Sequence, residues 1–411
     1  MTDSVKQPEA AIGARLSVMM FLEFFVWGGW YVTVGNYMGE NGLKESIAWA
    51  YSLCPIAAII SPFFTGMVAD RFFATERVLG VLQLLGGATL LAAPLAAQSG
   101  PTAFLVCLLL HTLFFMPTLG LTNTLAFSHM SNPEKQFPMV RVFGTIGWIV
   151  ANVVVSKMLH GDSSPVQFHV AGAAAVLLGL YSFSLPHTPA PSAGQKATLR
   201  DIAGLDSLAL LKKPAFAVFV ASSFLICIPL AFYYAFAPVF VKEVGFTDPA
   251  FNMSFGQMSE IFFMVVMPLC FARLGVKWML LVGMAAWVLR YGLFAGAATT
   301  GVLPLVIGGI VLHGVCYDFF FVTGQIYVDN VASAKIRGQA QGFLVLVTQG
   351  VGMLIGAQVA GKLVAAYTVA EKINWTMVWG IPCIAAAVIM LVFAATFKAG
   401  NEQMPAEEPA A

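Results

Sequence analysis

Charge is scarce in this sequence. Asp, Glu, Lys and Arg make up 10% of the 411 residues, whereas a soluble domain carries about 25%. Hydrophobic residues account for 59% of the chain, and the mean hydropathy is +0.83. This composition excludes an ordinary soluble enzyme and indicates an integral membrane protein. The net charge of +1 does not suggest nucleic acid as a partner.

Signatures of redox, metal and hydrolytic chemistry are also missing. The six cysteines stand singly in apolar runs and form no CxxC pair, so we expect reduced packing residues and no metal. No GxxxxGK(S/T), HExxH or GxSxG pattern occurs, which argues against ATP-driven or hydrolytic machinery. We therefore expect neither an enzyme nor a bound cofactor. No signal peptide is expected, because residues 1–14 are polar and the following apolar run is too long.

Twelve apolar stretches are long enough to cross a bilayer, since a spanning helix needs about 20 mostly apolar residues. The sequence predicts an all-α membrane protein whose spans 1 to 12 lie at residues 15–38, 46–67, 76–97, 102–126, 138–159, 165–185, 213–241, 252–274, 277–298, 302–328, 338–366 and 374–397.

The longest polar interval, residues 186–212, divides these spans into six and six, and its segment 205–211 could form a short interfacial helix. We predict five parts, with boundaries at 1–14 (N-terminal tail), 15–185 (N-terminal half), 186–212 (linker), 213–398 (C-terminal half) and 399–411 (C-terminal tail). Two six-helix halves joined by a linker are typical of a transporter whose site lies between the halves.

Lysine and arginine predict the orientation. If both termini are cytoplasmic, 15 of the 21 basic residues lie on the inner side, five lie outside, and Arg290 lies within span 9. Cytoplasmic loops carry an excess of Lys and Arg. The bias therefore predicts both termini, the linker and both tails on the cytoplasmic side.

Three acidic residues lie inside predicted spans: Glu23, Glu260 and Asp318. A carboxylate at the centre of a bilayer costs about 2.5–3.5 kcal/mol on insertion scales, so such residues usually serve a substrate or proton pathway. Apolar surroundings disfavour the charged form, which lets a carboxyl group bind and release a proton. The structural alternative is a buried acid bonded to backbone or to Arg290.

The loop between spans 2 and 3 carries Gly66-Met-Val-Ala-Asp70-Arg71. It resembles the Gly-x-x-x-Asp-Arg signature of the major facilitator superfamily. Gly66 would allow close helix contact, and Asp70 with Arg71 would latch the halves in one state. The alternative is a plain surface turn.

Four longer strings are similar to the nucleoside:proton symporter family of that superfamily, and the resemblance runs from span 1 to span 12. They are FLEFFVWGGW (21–30), MPTLGLTNT (116–124), VRVFGTIGW (140–148) and YDFFFVTG (317–324). The resemblance implies the major facilitator fold in the cell inner membrane and import of nucleosides with protons by alternating access. The partners would be a nucleoside, a proton and the lipid bilayer, and we expect a monomer.

The same resemblance implies a substrate site. On span 5 it points to Arg141, Thr145 and Trp148, whose spacing of i, i+4, i+7 puts them on one helical face. In the second half it points to Gln257 and Glu260 on span 8, and to Asp318 in its aromatic setting beside Tyr317. Arg141 offers several donors, Trp148 a stacking surface for a base, and the carboxylates would suit ribose hydroxyls. Helix packing and a snorkelling Arg141 are the alternatives.

This chain departs from the family at two places. The family carries an amide on span 7 at the positions of Ala231 and Tyr234, and glutamine on span 1 where this chain has Glu23. We therefore place Tyr234 on the wall of the site and count Glu23 with Asp318 and Glu260 as a proton-coupling candidate. An ion pair with a neighbouring helix is the alternative for Glu23.

Three further intramembrane residues have open roles. His111 and His313 are candidate proton relays, or else they bond a neighbour. Arg290 is interpreted as a counter-ion of Asp318 or Glu260.

Gly352 and Gly356 in span 11 have the small-xxx-small spacing of close helix contacts, which suits either sliding or static packing.

A nucleoside symporter is the leading interpretation. The alternative in the same class is a proton-coupled symporter of a sugar or related polyol. A membrane enzyme would require clustered acid–base or metal groups, and the three acids are scattered over spans 1, 8 and 10. A sensor would require a sizeable soluble domain, which no loop of this length provides.

Overall fold

The computed structural model describes residues 9–64, 72–190, 205–333 and 336–398. These residues are mostly helical, and the sheet found among them is a hairpin of β1 (Thr368–Val369) and β2 (Lys372–Ile373). An apolar segment inside a bilayer must pair its backbone groups internally, which a helix does. Nine helices in the described ranges are long and apolar enough to cross a membrane. The signature at 66–71 and the linker segment 191–204 lie outside the described residues.

The N-terminal half begins with a broken helix. The sequence predicts one span at 15–38, but the helix ends at Tyr31 and a second one starts at Val34. Another helix, at residues 101–128, begins with Pro101 in its first turn, where a missing N–H costs nothing. The helices of this half are α1 (Glu9–Tyr31), α2 (Val34–Glu40), α3 (Ile47–Phe64), α4 (Thr75–Gln98), α5 (Pro101–Ser128), α6 (Pro133–Asn152) and α7 (Val166–Ser182).

The C-terminal half follows a short 3₁₀ helix at Leu205–Lys212, where the sequence allowed a short helix. Prolines again stand in the first turns of its first two long helices. The helices of this half are α8 (Pro214–Glu243), α9 (Pro249–Thr300), α10 (Leu303–Val311), α11 (His313–Cys316), α12 (Thr323–Val331), α13 (Arg337–Val345), α14 (Met353–Ala366) and α15 (Trp375–Thr396).

Helix α9 consists of two helical arms joined at a kink. Its 52 residues are interrupted at Gly275, whose φ of 66° and ψ of 174° are not helical. A positive φ strains any residue with a Cβ, so glycine is the residue suited to this turn. The kink lies where the sequence separates span 8 from span 9.

Three stretches widen into π-helix. Val153–Met158 extends α6, Tyr317–Val322 joins α11 to α12, and Leu346–Gly352 joins α13 to α14. Single π-helical turns recur at functional sites because the extra residue shifts which side chains share a face. The second stretch carries Asp318, and the third carries Gln349.

The glycines of α13–α14 face two different neighbours. Gly352 and Gly356 lie against Cys227 and Ala231 of α8, within the same half. Gly350 and Gly361 instead face Ile59 and Ala48 of α3, across the boundary between the halves. The predicted small-xxx-small pair therefore packs inside one half, and other glycines provide the close approach between halves.

One end of the molecule, which we name the closed end, joins the halves by hydrogen bonds. Asn36 Nδ2 donates to Pro238 O at 3.0 Å, and Lys157 Nζ lies 2.8 Å from Asp248 Oδ2. Asp162 Oδ1 accepts from the backbone N–H of Ala250 at 3.1 Å. Lys242 Nζ in turn contacts Glu40 Oε1 at 2.7 Å and Ser163 Oγ at 2.8 Å. These contacts link the ends of α2 and α6 to the ends of α8 and α9.

Candidate functional site

A central cavity of about 120 Å³ lies between the two halves. Helices α1 and α6 form one wall, and α8, α9, α11, α14 and the two C-terminal π-helical stretches form the other. Its lining is aromatic with a few polar groups: Phe24, Trp27, Tyr31, Arg141, Thr145, Trp148, Tyr234, Gln257, Glu260, His313, Tyr317, Gln349 and Met353. Pockets for drug-sized ligands measure about 300–1,000 Å³, so the cavity is small in this conformation.

Seven of the eight predicted substrate-binding residues lie on this cavity. They are Arg141, Thr145, Trp148, Tyr234, Gln257, Glu260 and Tyr317. The three from α6 occupy one face, as their helical spacing requires. Lining residues that the sequence does not predict include Phe24, Tyr31, Gln349 and Met353. Span 1 offered a signal for two of these, since aromatic residues recur along it at helical spacing.

Asp318 is the eighth, and it does not line the cavity. Its side chain is fully buried, and neither carboxyl oxygen has a hydrogen-bond partner among the described residues. Tyr317, the preceding residue, does face the cavity. Tyr317 and Asp318 are consecutive in the π-helical stretch and point in different directions, and of the two only Tyr317 reaches the cavity. The prediction that Asp318 lines the central cavity together with Glu260 is therefore wrong in this conformation.

Aromatic contacts hold the wall of the N-terminal half. The guanidinium carbon of Arg141 lies 4.0 Å from the centre of the Phe24 ring, a cation–π distance. Trp148 meets Trp27 edge to face at 5.6 Å. With its amide turned to match its neighbours, Asn152 donates to Gly28 O at 3.0 Å and accepts from Trp148 Nε1 at 3.2 Å. Asn152 thus orients the indole from one turn away.

The opposite wall carries an acid beside a histidine. Glu260 Oε2 lies 4.0 Å from His313 Nε2, and the Glu260 side chain is 13% exposed. Tyr233 stacks on the His313 ring with centroids 5.3 Å apart and an interplanar angle of 14°. Arg141 faces Glu260 from the other half, so opposite charges stand on opposite walls. This arrangement suits a small polar solute with donors at one end and acceptors at the other.

Several polar atoms at the cavity are unpaired within the described chain. They are Trp27 Nε1, Gln257 Oε1 and His313 Nδ1. Leaving a buried polar group without a hydrogen-bond partner destabilises the protein by about 1–3 kcal/mol.

Arg290 does not act as the predicted counter-ion. Its guanidinium is fully buried, and the carbon lies 4.1 Å from the centre of the Tyr233 ring. No salt bridge joins Arg290 to Glu260 or Asp318, both of which the structure describes. The aromatic face of Tyr233 takes the place of the expected carboxylate. Arg290 and Glu260 thus lie on either side of the Tyr233–His313 stack.

Glu23 and His111 lie off the cavity, inside the N-terminal half. Both are fully buried or nearly so. His111 Nδ1 lies 2.9 Å from Gly86 O, which gives this histidine a backbone partner. Glu23 contacts Gln83 and Thr118, and no described residue forms the ion pair that was the alternative for it. The gating candidates Gly66, Asp70 and Arg71 lie outside the described residues.

The pKa values of the acids at the closed end depend on the partner of each acid. The hydrogen bond from Lys157 lowers the pKa of Asp248 below its usual value. The hydrogen bond from Lys242 likewise lowers the pKa of Glu40. Burial instead raises the pKa of Asp162, against the hydrogen bonds from Ser156 and Ala250. The two lysine pairs are therefore ionic contacts across the closed end.

Known proteins resemble this chain over nearly its whole length. A family described as "Nucleoside H+ symporter" matches residues 10–402. "Putative nucleoside transporter YegT" of Escherichia coli (strain K12) is 38% identical over 96% of this chain and 95% of its own length. Nucleoside permease NupG of the same organism is 33% identical, with 95% of this chain and 97% of NupG covered.

Solved structures give the same result. The crystal structure of NupG superposes with a TM-score of 0.82 at 31% identity, covering 95% of this chain and 100% of that one. A crystal structure of a NupG variant reaches 0.87 at 30% identity, covering 94% and 100%. A peptide transporter matches with a TM-score of 0.73 at 17% identity, over 95% of this chain and 98% of its own, which speaks for the shared fold alone. The chain belongs to the nucleoside H⁺ symporter family: it is a multi-pass transporter of the inner membrane that takes up nucleosides with protons, and it is not an enzyme.

Proposed function

We propose that the central cavity is the nucleoside site and that the two halves rock around it to give alternating access. The observation that carries this proposal is one cavity whose walls come from both halves and hold polar groups of opposite character. A substrate held between two halves can face either side of the membrane in turn. The narrow volume fits a state that must open to bind.

Each wall has a distinct task in this proposal. Trp148 stacks on the base, while Arg141 and Thr145 donate to its polar edge. Gln257 and Glu260 accept from the vicinal hydroxyls of the ribose, with Tyr234 and Tyr317 as flanking aromatic surfaces. Ala231 is buried against Gly356 rather than on the cavity. Of the two span 7 positions at which the family resemblance implies an amide, Tyr234 alone therefore bears on the substrate.

The topology proposed is twelve spans with both termini and the linker in the cytoplasm. The kink in α9 and the 15-to-5 distribution of basic residues support it. In that orientation the closed end faces outward, and this conformation is closed to the outside. Gly66, Asp70 and Arg71 would then act at the inner end as the gating residues. We propose that the chain works in this way as a monomer within the lipid bilayer.

Proton coupling is assigned to the acids of the C-terminal half, Glu260 and Asp318. Glu260 faces the cavity and Asp318 lies sealed behind it. A proton that must reach both sides of the membrane requires acids with access to the substrate pathway. Glu23 is the third acid, and its contacts point to a different role, described below.

Uptake of radiolabelled uridine and adenosine by cells that express this chain tests the proposal. We expect uptake that an uncoupler abolishes and that unlabelled nucleosides inhibit. Excess free ribose is the matched competitor, because it offers the hydroxyls without the base. Uptake that survives the uncoupler, or that ribose inhibits as well as a nucleoside does, would contradict the assignment in favour of another polyol or another driving force.

A further inference from the structure

Three polar side chains meet inside the N-terminal half, away from the cavity. Glu23 of α1 lies between Gln83 of α4 and Thr118 of α5, and each of the three is at most 1% exposed. Gln83 Nε2 lies 2.8 Å from Glu23 Oε2 and 3.0 Å from Thr118 Oγ1. Thr118 Oγ1 lies 2.5 Å from Glu23 Oε1 and 2.6 Å from the carbonyl oxygen of Phe115.

The hydrogens available to this cluster can be counted. The hydroxyl of Thr118 has one hydrogen, yet two oxygens lie within 2.6 Å of it. The Phe115 carbonyl can only accept. If Glu23 were ionised, its oxygen could also only accept, and one of these two close contacts would contain no hydrogen. Two oxygens at that distance without a hydrogen between them repel each other.

A protonated Glu23 satisfies every contact. Its hydroxyl donates to Thr118 Oγ1, and Thr118 donates to Phe115 O. The two amide hydrogens of Gln83 go to Glu23 Oε2 and to Thr118 Oγ1. Thr118 Oγ1 then accepts twice and donates once, which is its full capacity.

The surrounding charges do not supply a counter-ion. Arg141 on α6 lies in this part of the fold, and its guanidinium lies over the Phe24 ring. His111 on α5 is engaged with Gly86 O, and Glu76 on α4 with His187 and Thr188. Tyr181 on α7 donates to the Arg15 carbonyl of α1. No salt bridge to Glu23 occurs within the described residues, and a buried carboxylate without a counter-ion is strongly disfavoured.

We propose that Glu23 is a proton-binding site of the N-terminal half, which keeps its proton throughout transport and fixes α1 to α4 and α5. All three side chains belong to one half, and contacts within a half persist when the halves rock. The fixed segment carries Phe24 and Trp27, which line the cavity. Glu23 is therefore a positioning residue for the aromatic wall. This last step rests on the proposed function; the proton on Glu23 does not.

Infrared difference spectroscopy of the purified transporter in lipid tests the proton directly. Subtracting the spectrum of Glu23→Gln from that of the wild type should leave the C=O stretch of a neutral carboxylic acid. Thr118→Val should shift the frequency of that band, because it removes the acceptor of the proton. Glu76→Gln is the matched control: this acid accepts from His187 and Thr188, so its loss should remove carboxylate bands. A Glu23 difference made of carboxylate bands overturns the proposal.

Transport in proteoliposomes tests the retained proton. Glu23→Gln keeps the shape and the donor of a neutral acid, so it should retain both nucleoside uptake and nucleoside-driven proton flux. Glu23→Ala leaves Gln83 and Thr118 without their partner and should raise the KM for nucleoside while Gln restores it. If Glu23→Gln takes up nucleoside without protons, the proton on Glu23 is transported and the proposal is overturned. Absence of coupled flux in the wild type would instead contradict the proposed function and leave the infrared result standing.

Discussion

The Lys157–Asp248 pair makes a quantitative prediction about the closed end. The pair joins α6 of one half to the start of α9 in the other, with 2.8 Å between Nζ and Oδ2. Lys157 is 54% exposed and Asp248 is 7% exposed. Hydrogen bonds to charged groups contribute about 1.5–3 kcal/mol when shielded, and exposed pairs about 0.2–1 kcal/mol. We take about 1 kcal/mol for this half-exposed pair, since solvent screens the lysine.

Removal of either partner should shift the balance between closed and open states. Because the pair exists when the ends are closed, Lys157→Gln or Asp248→Asn should raise the open fraction about fivefold, which is what 1 kcal/mol implies. The charge swap that combines Lys157→Asp with Asp248→Lys should return much of the closed population. The two single effects should not add, because they remove one interaction.

Thiol labelling reports the open fraction. Met253 lies by a small pocket next to the cavity, lined also by Pro238 near the closed end. With the six native cysteines replaced, Met253→Cys should react with a membrane-impermeant thiol reagent about fivefold faster in either single variant. Lys372→Gln is the control, a lysine of the same end with no salt bridge in the described chain. Unchanged labelling in both single variants would refute the assignment of this pair as an inter-half contact.

The pH dependence of this contact has a definite sign. Asp248 has a lowered pKa, so its contribution is present above the ordinary aspartate value and is lost as the pH falls through the lowered one. The ordinary value is about 3.9. The carboxyl group of Asp248 should therefore not itself change the labelling rate between about pH 5 and pH 8. A rise within that range would place the sensitive group elsewhere.

Other variants test the walls of the cavity. Trp148→Ala should raise the Kd for nucleoside about tenfold or more, since base–aromatic stacking is worth about 1–3 kcal/mol, while Trp148→Phe should retain part of the affinity; equilibrium binding measures both. Asn152→Ala should weaken binding less, because it frees the indole without removing it. Arg141→Lys keeps the charge and loses the planar fork, so a fall in affinity would indicate paired donor contacts. Arg290→Met should preserve or raise the melting temperature, because no acid pairs with Arg290 in the described residues. If the substitution instead lowers the free energy of unfolding by more than about 3 kcal/mol, Arg290 is the counter-ion of an acid after all.

The sequence predicts the placement of most helices, because the length of an apolar run directly indicates a segment that can cross the membrane. The seventh span is predicted at 213–241 and observed at Pro214–Glu243. The break in span 1 after Tyr31 was not predictable from that signal, since no glycine or proline interrupts residues 31–34. The amino-acid composition also does not indicate the π-helical stretches. Their extra residue changes which helical face the following side chains occupy.

The family resemblance identified Arg141, Thr145 and Trp148 as site residues, and their 3.6-residue period predicted that they share one helical face. They lie together on the cavity. The partners of Glu23 were not predictable, because Gln83 and Thr118 are 60 and 95 positions away in the sequence. Contacts between helices depend on packing that local spacing does not encode.

The different environments of Glu260 and Asp318 make a last prediction about coupling. Glu260 is open to the cavity, whereas Asp318 is sealed and unpartnered in this conformation. An unpartnered buried acid is costly unless another state gives it a partner or a proton path. We therefore expect Glu260→Gln to remove the pH dependence of nucleoside binding here. Asp318→Asn should leave binding pH-dependent but abolish uptake against a gradient, since the acid acts in the step that exposes it. Binding and proton flux measured on the same proteoliposomes separate the two. If Asp318→Asn alone removes the pH dependence of binding, then the sealed acid exchanges protons in this state and the order of the two acids is reversed.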